Sequence, residues 1–252
     1  MTAVRVLTWN LQGSRGVDIA AVAEIIRGTG AEIVALQEIR KRQVGELGSA
    51  LGMDEQWWVF KHWPVVGRPE GAAVLTPHRL LATGSVVLQR APFWSWRRRV
   101  VAEATLSRDG ARFAIVNVHL SPHDATERRD REAGVVIERA TTNSPVPIIC
   151  GDLNELPGGP AYRTFVGAGW TDAWLAVRGE ADEAAGATNW TAGPRGGRPP
   201  TQHIDYVFAP PGWLVEGCIV AVEADSFDDA AGLSDHLPVV ATLRPPASGS
   251  GA

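Results

Sequence analysis

The sequence consists of short, strongly apolar runs, and six of these runs end in or lead into a few polar residues with reactive side chains. Apolar runs of this length are typical of buried strands. In chain order, the polar signatures are Thr8-Trp9-Asn10, Gln37-Glu38, Asn117-Val118-His119, Gly151-Asp152-Leu153-Asn154, His203-Ile204-Asp205-Tyr206 and Ser234-Asp235-His236. Each places a carboxylate, amide or imidazole where a strand would reach the surface. The pattern therefore predicts that six strand ends bring their polar groups into one cleft.

The alternation of strand and helix patterns predicts an α/β fold. Apolar residues at helical spacing indicate helices over residues 18–27 and 41–51, and a third helix carries the stripe Ala133, Val136, Ile137 and Ala140. Strands are predicted over residues 4–9, 32–37, 57–60, 72–75, 85–88, 98–106, 112–118, 146–150, 204–208, 214–222 and 238–243. Many strands with few helices favour two mixed sheets packed face to face, with the helices outside.

Length and composition predict a single domain. The chain has 252 residues, of which 45% are hydrophobic and 21% charged, and no linker rich in Ser, Gly and Pro separates the six signatures. The stretch 191–201, rich in Gly, Pro and Arg, leads directly into an apolar segment and is interpreted as a surface loop. We expect one domain over residues 1–246 and a disordered tail of small residues over 247–252.

Charge and cysteine content restrict the binding partners and the cellular compartment that we expect. A net charge of -4 and a pI near 5.9 argue against nucleic-acid binding by bulk positive charge, although a local basic patch stays open. Cys150 and Cys218 are interpreted as buried reduced thiols, because two cysteines form neither a disulfide framework nor a zinc site. No leader-like segment or membrane-length apolar run is visible. These features predict a cytoplasmic protein without a membrane span.

Each signature taken alone also has a purely structural interpretation. Asp152 and Asn154 lie on one side of an extended chain, but such a pair also closes strands as an Asx-type turn. Asp205 stands between apolar neighbours and needs a partner, because burying an unpaired carboxylate is costly, and His236 is a natural partner. Glu38, Asn10 and His119 could each be an ordinary strand-end residue. Their joint occurrence in this order favours a common site.

The ordered set resembles the endonuclease/exonuclease/phosphatase superfamily, which contains DNase I-like nucleases, abasic-site endonucleases, neutral sphingomyelinases, inositol polyphosphate phosphatases and deadenylases. The resemblance extends from Thr8 to Val239 and includes Glu70-Gly71-Ala72-Ala73-Val74-Leu75, which is similar to the Gly-rich third strand of the family. It implies a four-layered α/β sandwich and a hydrolase of phosphate esters. It also implies a divalent cation, usually Mg²⁺, for which Mn²⁺ could substitute.

The resemblance assigns the metal and the attacking water to five residues. Glu38 would be the main metal ligand, with Asn10 and Asp235 close to the metal or its waters. Asp152 would orient and deprotonate the attacking water, and Asn154 would bind phosphate or the nucleophile beside it. This division suits Mg²⁺, which prefers oxygen ligands and keeps several waters.

The resemblance assigns the substrate phosphate to the imidazoles. His236, held by Asp205, and His119 would contact the phosphate oxygens and stabilise charge as the ester bond breaks. Glu70 would support His119, and it is grouped with His203 as a substrate-binding residue. His203, at a position that is frequently Arg in the family, would contact phosphate with a charge that depends on pH.

The substrate class rests on fewer features. Residues 8–13 look like the nuclease-type opening of the family, which favours a phosphodiesterase or nuclease over a phosphatase of small phosphomonoesters. The run Asn117-Val118-His119-Leu120 differs from the abasic-site endonucleases, which carry a Tyr and a nearby Asn there. An inactive binding module of the same fold is the remaining alternative. We expect a monomer, since no long heptad run is visible.

Aromatic residues interleaved with Arg form two clusters in the first half of the chain. They comprise Trp57, Trp58, Phe60 and Trp63, and then Phe93, Trp94 and Trp96 followed by Arg97, Arg98 and Arg99. Such residues could stack bases and pair with phosphates. The alternative interpretation is that the indoles fill the space between the sheets and the Arg residues alternate across an exposed strand.

Overall fold

The computed structural model describes residues 2–62, 69–89, 98–122, 124–179, 186–190, 199–220 and 232–247. Within these ranges the chain forms twelve strands, five α-helices and one 3-10 turn, Gly13–Arg15. The strands are β1 Val4–Asn10, β2 Ile33–Ile39, β3 Glu55–His62, β4 Glu70–Thr76, β5 Arg79–Gln89, β6 Arg99–Arg108, β7 Ala111–His119, β8 Ile148–Asp152, β9 Thr171–Asp172, β10 Asp205–Ala209, β11 Leu214–Val220 and β12 Val239–Arg244. The helices are α1 Ile19–Thr29, α2 Lys41–Leu51, α3 Thr126–Thr142, α4 Pro160–Gly167 and α5 Ala173–Arg178.

The strands form two six-stranded mixed sheets with the same internal plan. Sheet A has the order β11-β12-β1-β2-β4-β3, and sheet B has the order β5-β6-β7-β8-β10-β9. Each sheet contains one parallel pair, β1 with β2 and β7 with β8, flanked by antiparallel neighbours. Parallel neighbours end at the same edge of a sheet. Each sheet therefore delivers two strand ends with polar residues to one edge.

Apolar side chains divide the molecule into four layers. The core between the sheets contains residues such as Val6, Ile33 and Ile115, whereas the alternate residues of the same strands face outward. On sheet A, outward-facing Leu36 packs with the buried stripe of α1 and α2. On sheet B, α3 and α4 cover outward-facing residues such as Val116. The predicted four-layered α/β sandwich is thus confirmed.

The helices begin and end where local signals place them. Asp18 caps α1 by accepting hydrogen bonds from the backbone N–H groups of Ala20 and Ala21, and Gly30 ends the helix in the left-handed region. The observed α2 has the predicted bounds, 41–51, and Gly52 ends it in the same way. These caps fix the connections that lead into β2 and β3.

Several predicted bounds differ from the structure for identifiable reasons. The sequence pattern missed α4, α5 and β9, because elements of two to eight residues show little periodicity. Helix α3 begins at Thr126, well before its apolar stripe, because its first turns are charged. Strand β8 begins at Ile148 rather than at residue 146, since Pro147 has no N–H for the ladder. Strand β5 extends over Arg79–Gln89 rather than 85–88.

Some sequence predictions fall partly outside the described ranges. These are the tail beyond residue 247, most of the loop over 191–201, and the last two residues of the strand predicted over 214–222. Cys150 and Cys218 are both buried and free, in agreement with the prediction of reduced thiols. Among the helices in the part of the chain that is described, none is long and apolar enough to cross a membrane.

Candidate active site

The polar signatures meet where the two parallel strand pairs end. Asp152, the last residue of β8, is in register with His119 of β7 on one side and with Asp205 of β10 on the other. Asn10, the last residue of β1, is in register with Gln37 of β2 in the other sheet. The Nδ2 of Asn10 donates a hydrogen bond to Oδ2 of Asp152 over 3.0 Å. This bond joins the active edges of the two sheets.

Asp152 is the buried centre of the site. Its side chain accepts from the backbone N–H of Asn154 at Oδ1, over 2.8 Å, and from Asn10 at Oδ2. The Nε2 atoms of His119 and His236 lie 3.5 and 3.9 Å from the same Oδ2. Burial raises the pKa of Asp152 to about 6, against the opposing charge of His236. A carboxylate with this pKa suits proton abstraction near neutral pH.

The backbone around Asp152 explains the residues beside it. Gly151 has a φ of +139°, and a Cβ there would overlap the backbone carbonyl of Val118, so glycine permits the close approach of β8 to β7. Asn154 adopts a φ of +51°, and its Nδ2 donates to Leu120 O over 3.2 Å. The Asx-type turn considered as a structural alternative is present, and it orients Asp152 toward the site.

His236 and Asp205 form a buried hydrogen-bonded pair. His236 Nδ1 lies 2.8 Å from Asp205 Oδ2, which also accepts from the hydroxyl of Thr188 over 2.6 Å. Burial by itself would lower the pKa of His236, but the carboxylates of Asp205 and Asp152 outweigh it and raise the pKa to about 10. His236 is therefore a cation at neutral pH. Because Asp205 can only accept, the proton lies on Nδ1 and leaves Nε2–H directed at the site.

Glu38 occupies an unusual backbone conformation at the end of β2. The register between β2 and β4 shifts between Leu36 and Ile39, and Glu38 has a φ of +53° within this bulge. Bulges redirect side chains, and they occur frequently beside active sites. The Oε1 of Glu38 lies 3.9 Å from Nδ1 of His119. With 23% of its side chain exposed, Glu38 is accessible from solvent.

Asp235 and Glu38 form an acidic corner beside Asp152. Burial raises the pKa of Asp235, and the nearby charge of Glu38 raises it further, while His236 opposes the change. Among the residues described, Oδ1 of Asp235 is buried with no hydrogen-bond partner, whereas Oδ2 accepts from Gln12 Nε2. The same Oδ1 lies 3.9 Å from Nε2 of His236, beyond hydrogen-bond range, so this oxygen and the repelling carboxylate of Glu38 fit a hard divalent cation such as Mg²⁺.

A second group of possible metal ligands lies at the buried centre of the site. Ligand atoms of Asp152, Asp205 and His236 lie within 4.8 Å of one another. However, the 2.8 Å separation of His236 Nδ1 and Asp205 Oδ2 is a hydrogen bond, so these two atoms are engaged with each other, whereas Oδ1 of Asp205 is buried without a hydrogen-bond partner among the described residues. We therefore interpret this group as an imidazole paired with two carboxylates rather than as a metal site.

Asn10 lies between the acidic corner and the buried centre. Its Nδ2 donates to Asp152, its Oδ1 accepts from Gln12 N over 3.3 Å, and its backbone carbonyl accepts from the hydroxyl of Ser234 over 2.6 Å. The same hydroxyl accepts from His236 N over 3.1 Å. Ser234 thus ties the end of β1 to the segment that carries Asp235 and His236.

Glu70 and His203, the two residues assigned to substrate binding, are both buried. Glu70 is buried at the start of β4, and its support of His119 stays a prediction. His203 is also buried, with its ring stacked on Tyr206 at 4.6 Å and edge-on to Trp174 at 6.0 Å. Burial lowers the pKa of His203 to about 4. At neutral pH, any contact between His203 and phosphate would therefore involve an uncharged imidazole.

Sequence reasoning missed several residues that hold the site. Thr188 lies in a short segment without strand or helix periodicity, so nothing in the sequence pattern indicates its contact with Asp205. On α3, Glu132 accepts from both the N–H and the hydroxyl of Ser121, each over 2.7 Å, just after His119. Arg129 on the same helix pairs with Glu155, which follows the Asp152 turn, at 3.3 Å. Helix α3 thus holds the loops that follow β7 and β8.

The described aromatic residues pack against the sheets. The indole N–H groups of Trp57 and Trp58 donate to Gly84 O and Ile39 O, each over 2.9 Å. The guanidinium of Arg98 lies 5.0 Å from the ring centroid of Phe60. For these residues the packing interpretation is favoured. Trp63, Phe93, Trp94, Trp96 and Arg97, the rest of the proposed base-stacking clusters, lie outside the described residues.

The fold and the convergence of acids and imidazoles where the two sheets meet define a DNase I-like α/β sandwich of the phosphoesterase class. The sequence profile described as "Endonuclease/Exonuclease/phosphatase family" matches residues 7–236. The chain belongs to the endonuclease/exonuclease/phosphatase family, whose members are hydrolases that act on phosphate esters. No curated protein matches its sequence.

Solved structures with the same fold have diverse sequences. An endonuclease/exonuclease/phosphatase from Beutenbergia cavernae is 23% identical, with a TM-score of 0.75 over 100% of this chain and 74% of that one. The human Nocturnin catalytic domain, solved with a bound sulfate anion, is 20% identical, with a TM-score of 0.74 over 96% and 94%. A mannosyl-6-phosphatase from Bacteroides thetaiotaomicron is 19% identical, with a TM-score of 0.71 over 95% and 99%. At these identities the likeness establishes the fold.

Proposed function

We propose that the protein is a Mg²⁺-dependent phosphoesterase that activates water with Asp152. The observation that supports this most directly is the arrangement around Asp152 Oδ2, which lies 3.5 Å from His119 Nε2 and 3.9 Å from His236 Nε2. One buried base is thus flanked by two imidazoles. A buried base beside cationic or polarisable donors is what attack of water on a phosphate ester requires.

Glu38, Asp235 and Asn10 would hold the cation in the acidic corner. When bound, a divalent cation there would neutralise negative charge on the phosphate oxygens. Mn²⁺ offers the same coordination preferences and could substitute. The buried Oδ1 of Asp235, which lacks a hydrogen bond within the described ranges, is the feature of the structure that this assignment explains.

The remaining side chains would share the proton transfers and the developing charge. Asp152, oriented by the N–H of Asn154 and the amide of Asn10, would take a proton from the attacking water. The oxygen of that water forms a bond to phosphorus as the bond between phosphorus and the leaving ester oxygen breaks, and the leaving oxygen takes a proton from solvent. His236, kept protonated by Asp205, and His119 would donate hydrogen bonds to the phosphate oxygens. Positioning and charge stabilisation of this kind account for most catalysis of phosphoryl transfer.

Within this class we propose a phosphodiester, such as a nucleic-acid strand, as the first substrate to test. The nuclease-like opening over residues 8–13 supports it. A phosphatase of small phosphomonoesters is the alternative, and a mannosyl-6-phosphatase shares the fold. A binding module without turnover is the third possibility. The cytoplasmic location and the monomeric state stay predictions from the sequence.

One set of assays tests the class and the substrate together. Hydrolysis of bis(p-nitrophenyl) phosphate, p-nitrophenyl phosphate and plasmid DNA would be measured with Mg²⁺, with Mn²⁺ and with chelator. Metal-dependent cleavage of the diester with nicking of the plasmid supports the proposal. Activity on the monoester alone reverses the order of the two enzyme candidates, and no metal-dependent hydrolysis of any substrate contradicts both.

Matched variants connect this activity to the site. Asp152→Asn removes the base without changing its shape, and it should abolish the hydrolysis seen with wild type. Asp109→Asn makes the same chemical change in the exposed β6–β7 turn, where a φ of +51° suits asparagine, and it should retain the activity. Equal activity in both variants would show that hydrolysis does not occur at Asp152.

A further inference from the structure

Gln37 and Asn117 belong to the polar signatures, yet the proposed chemistry gives neither of them a role. Both side chains are fully buried, at 0% exposure. The Nε2 of Gln37 donates to Thr8 Oγ1 over 2.9 Å and to Asn117 Oδ1 over 2.7 Å. The second contact is a side-chain hydrogen bond from β2 of sheet A to β7 of sheet B, through the middle of the sandwich.

Asn117 continues this network back into sheet A. Its Nδ2 donates to Leu36 O over 2.9 Å and to Ala73 O over 2.8 Å. Both amide hydrogens of Asn117 are therefore used, and both point from sheet B to backbone carbonyls of sheet A. Such a network allows few alternative arrangements, because each displaced group would lose its partner in a dry interior.

The network fixes the orientation of the Gln37 amide, and this orientation has a cost in stability. The reverse orientation would place Oε1 of Gln37 against Oδ1 of Asn117, two acceptors with no proton between them. In the observed orientation, Oε1 of Gln37 is buried without a hydrogen-bond partner in the part of the chain that is described. A buried oxygen without a donor is unfavourable for stability, so a role in positioning accounts for the network better than stabilisation does.

The position of the network relates it to the site. Gln37 immediately precedes Glu38, and Asn117 stands two residues before His119. Leu36 and Ala73, whose carbonyls Asn117 binds, form the last strand pair before the register shift that contains Glu38. Glu38 needs this support, because its φ of +53° is unfavourable for a residue with a side chain.

We propose that Gln37 and Asn117 are positioning residues that hold Glu38 of sheet A at a set distance from His119 and Asp152 of sheet B. They form an intersheet clamp, Thr8-Gln37-Asn117, one to two residues beneath the site. The functional part of this inference rests on the proposed metal-dependent activity. The clamp keeps the acidic corner aligned with the base, and its loss weakens metal binding and turnover together.

The test compares Gln37→Met with a core variant far from the site. Met has nearly the same shape as Gln but donates no hydrogen bonds. Leu106→Ala removes buried bulk from the core between the sheets, at the end of β7 opposite to His119, where Leu106 pairs with Phe113. Leu106→Ala therefore reports what general destabilisation does, and it is not expected to affect the acidic corner.

Three measurements follow, all well below the unfolding temperature of each variant. In Gln37→Met, the dissociation constant for Mn²⁺ by calorimetry should rise at least about tenfold, as for other residues that orient metal ligands. Hydrolysis of bis(p-nitrophenyl) phosphate should fall with it. Amide exchange should accelerate at least about tenfold at Ile39, at the end of β2, and at Leu11, just after β1, relative to the opposite ends of these two strands. The N–H of Leu11 donates to Gln37 O over 3.0 Å. Leu106→Ala should show none of these local effects.

The outcomes separate this proposal from the proposed function. Wild-type Mn²⁺ affinity and unchanged exchange at Leu11 and Ile39 in Gln37→Met would overturn the clamp. If the wild-type protein neither binds Mn²⁺ nor hydrolyses any substrate, the proposed function fails, whereas the exchange comparison still decides whether the clamp holds the bulge. Should Gln37→Met not fold, Thr8→Val removes one acceptor from Gln37 and should shift exchange in the same direction by about threefold.

Discussion

At the scale of single residues, neighbouring charge determines what two buried histidines can do. Burial by itself would lower the pKa of both His203 and His236. His236 faces three carboxylates, of which Asp205 is 2.8 Å away, and its pKa rises to about 10. His203 lies between the rings of Tyr206 and Trp174, and its pKa falls to about 4. The same residue type is thus a cation at one position and a neutral ring at the other.

Replacing His236 should therefore be severe. We expect His236→Ala to lower kcat for the diester at least about a hundredfold, the scale of lost acid-base or charge-stabilising groups. His78→Ala makes the same change in the turn between β4 and β5 and should keep kcat within about twofold. Steady-state kinetics at saturating Mg²⁺ provide the comparison. A His236→Ala enzyme with more than half of the wild-type kcat would refute the role.

The pH dependence of activity should show both titrating groups. Asp152 must be ionised to accept a proton, and with its pKa raised to about 6, kcat/KM should decrease as the pH falls through that value. A cation bound nearby would move this limb to lower pH. His236 stays protonated up to its pKa of about 10, where the basic limb should begin.

Asp205→Asn provides the check on this assignment. Asp205 makes the largest contribution that raises the pKa of His236, so its removal should move the basic limb to lower pH. In this variant kcat/KM should still decrease toward acid pH. The measurement is the pH profile of kcat/KM for both enzymes at constant ionic strength. A basic limb at the same pH in both would mean that it belongs to another group.

At the scale of elements, deviations from ideal strands position the candidate site residues. The bulge in β2 redirects Glu38, and the glycine at the end of β8 lets that strand approach β7 closely beside Asp152. Regular strands would place these side chains on alternating faces without this convergence. The local irregularities are therefore required for the site.

Two glycine substitutions compare a glycine that the close approach of two strands requires with a glycine in open space. Gly151→Ala should lower the free energy of unfolding by at least about 2 kcal/mol, since its backbone conformation disfavours a side chain and Val118 O occupies the space. Gly134→Ala, on the exposed face of α3 with open space around it, should raise it by about 0.5–1 kcal/mol. Urea denaturation of both variants measures the two changes. Equal small effects would show that β7 and β8 can separate without cost.

At the scale of the whole molecule, the site exists only where the two sheets meet. Sheet A supplies Asn10 and Glu38, and sheet B supplies His119, Asp152 and Asp205. His236 lies just before β12 of sheet A, but it bonds to Asp205 of sheet B. Metal binding to such a site should therefore be linked to folding of the complete sandwich.

We expect Mg²⁺ to stabilise the folded protein against heat. At a concentration one hundred times its dissociation constant, a ligand specific for the folded state adds about 2.7 kcal/mol. For a domain of this size, that corresponds to an increase in Tm of roughly 5–10 °C. Thermal unfolding with Mg²⁺ and with chelator measures it. Asp235→Asn should lose most of the increase and Asp109→Asn should retain it, whereas an equal increase in both variants would place the cation elsewhere.

Much of the fold could be predicted because its signals are local. The period of the apolar residues gave α2 its bounds, and the polar residue at the end of each strand identified the edge where the site lies. Asp205 was expected to need a partner because it lies between apolar neighbours. The contributions of Thr188, Arg129 and Glu132 were missed. Each side chain contacts a residue distant in sequence, and no local pattern predicts such contacts.

The sequence by itself determined which residues are candidates for the chemistry and that most of them end strands, because side-chain type and hydrophobic period are properties of the chain alone. Tertiary structure decided how those residues behave. Only the packed sandwich places Asn10 against Asp152, turns Glu38 into the site, and raises the pKa of His236 while lowering that of His203. The physical reason is that burial and the distances between charges arise only when the two sheets pack.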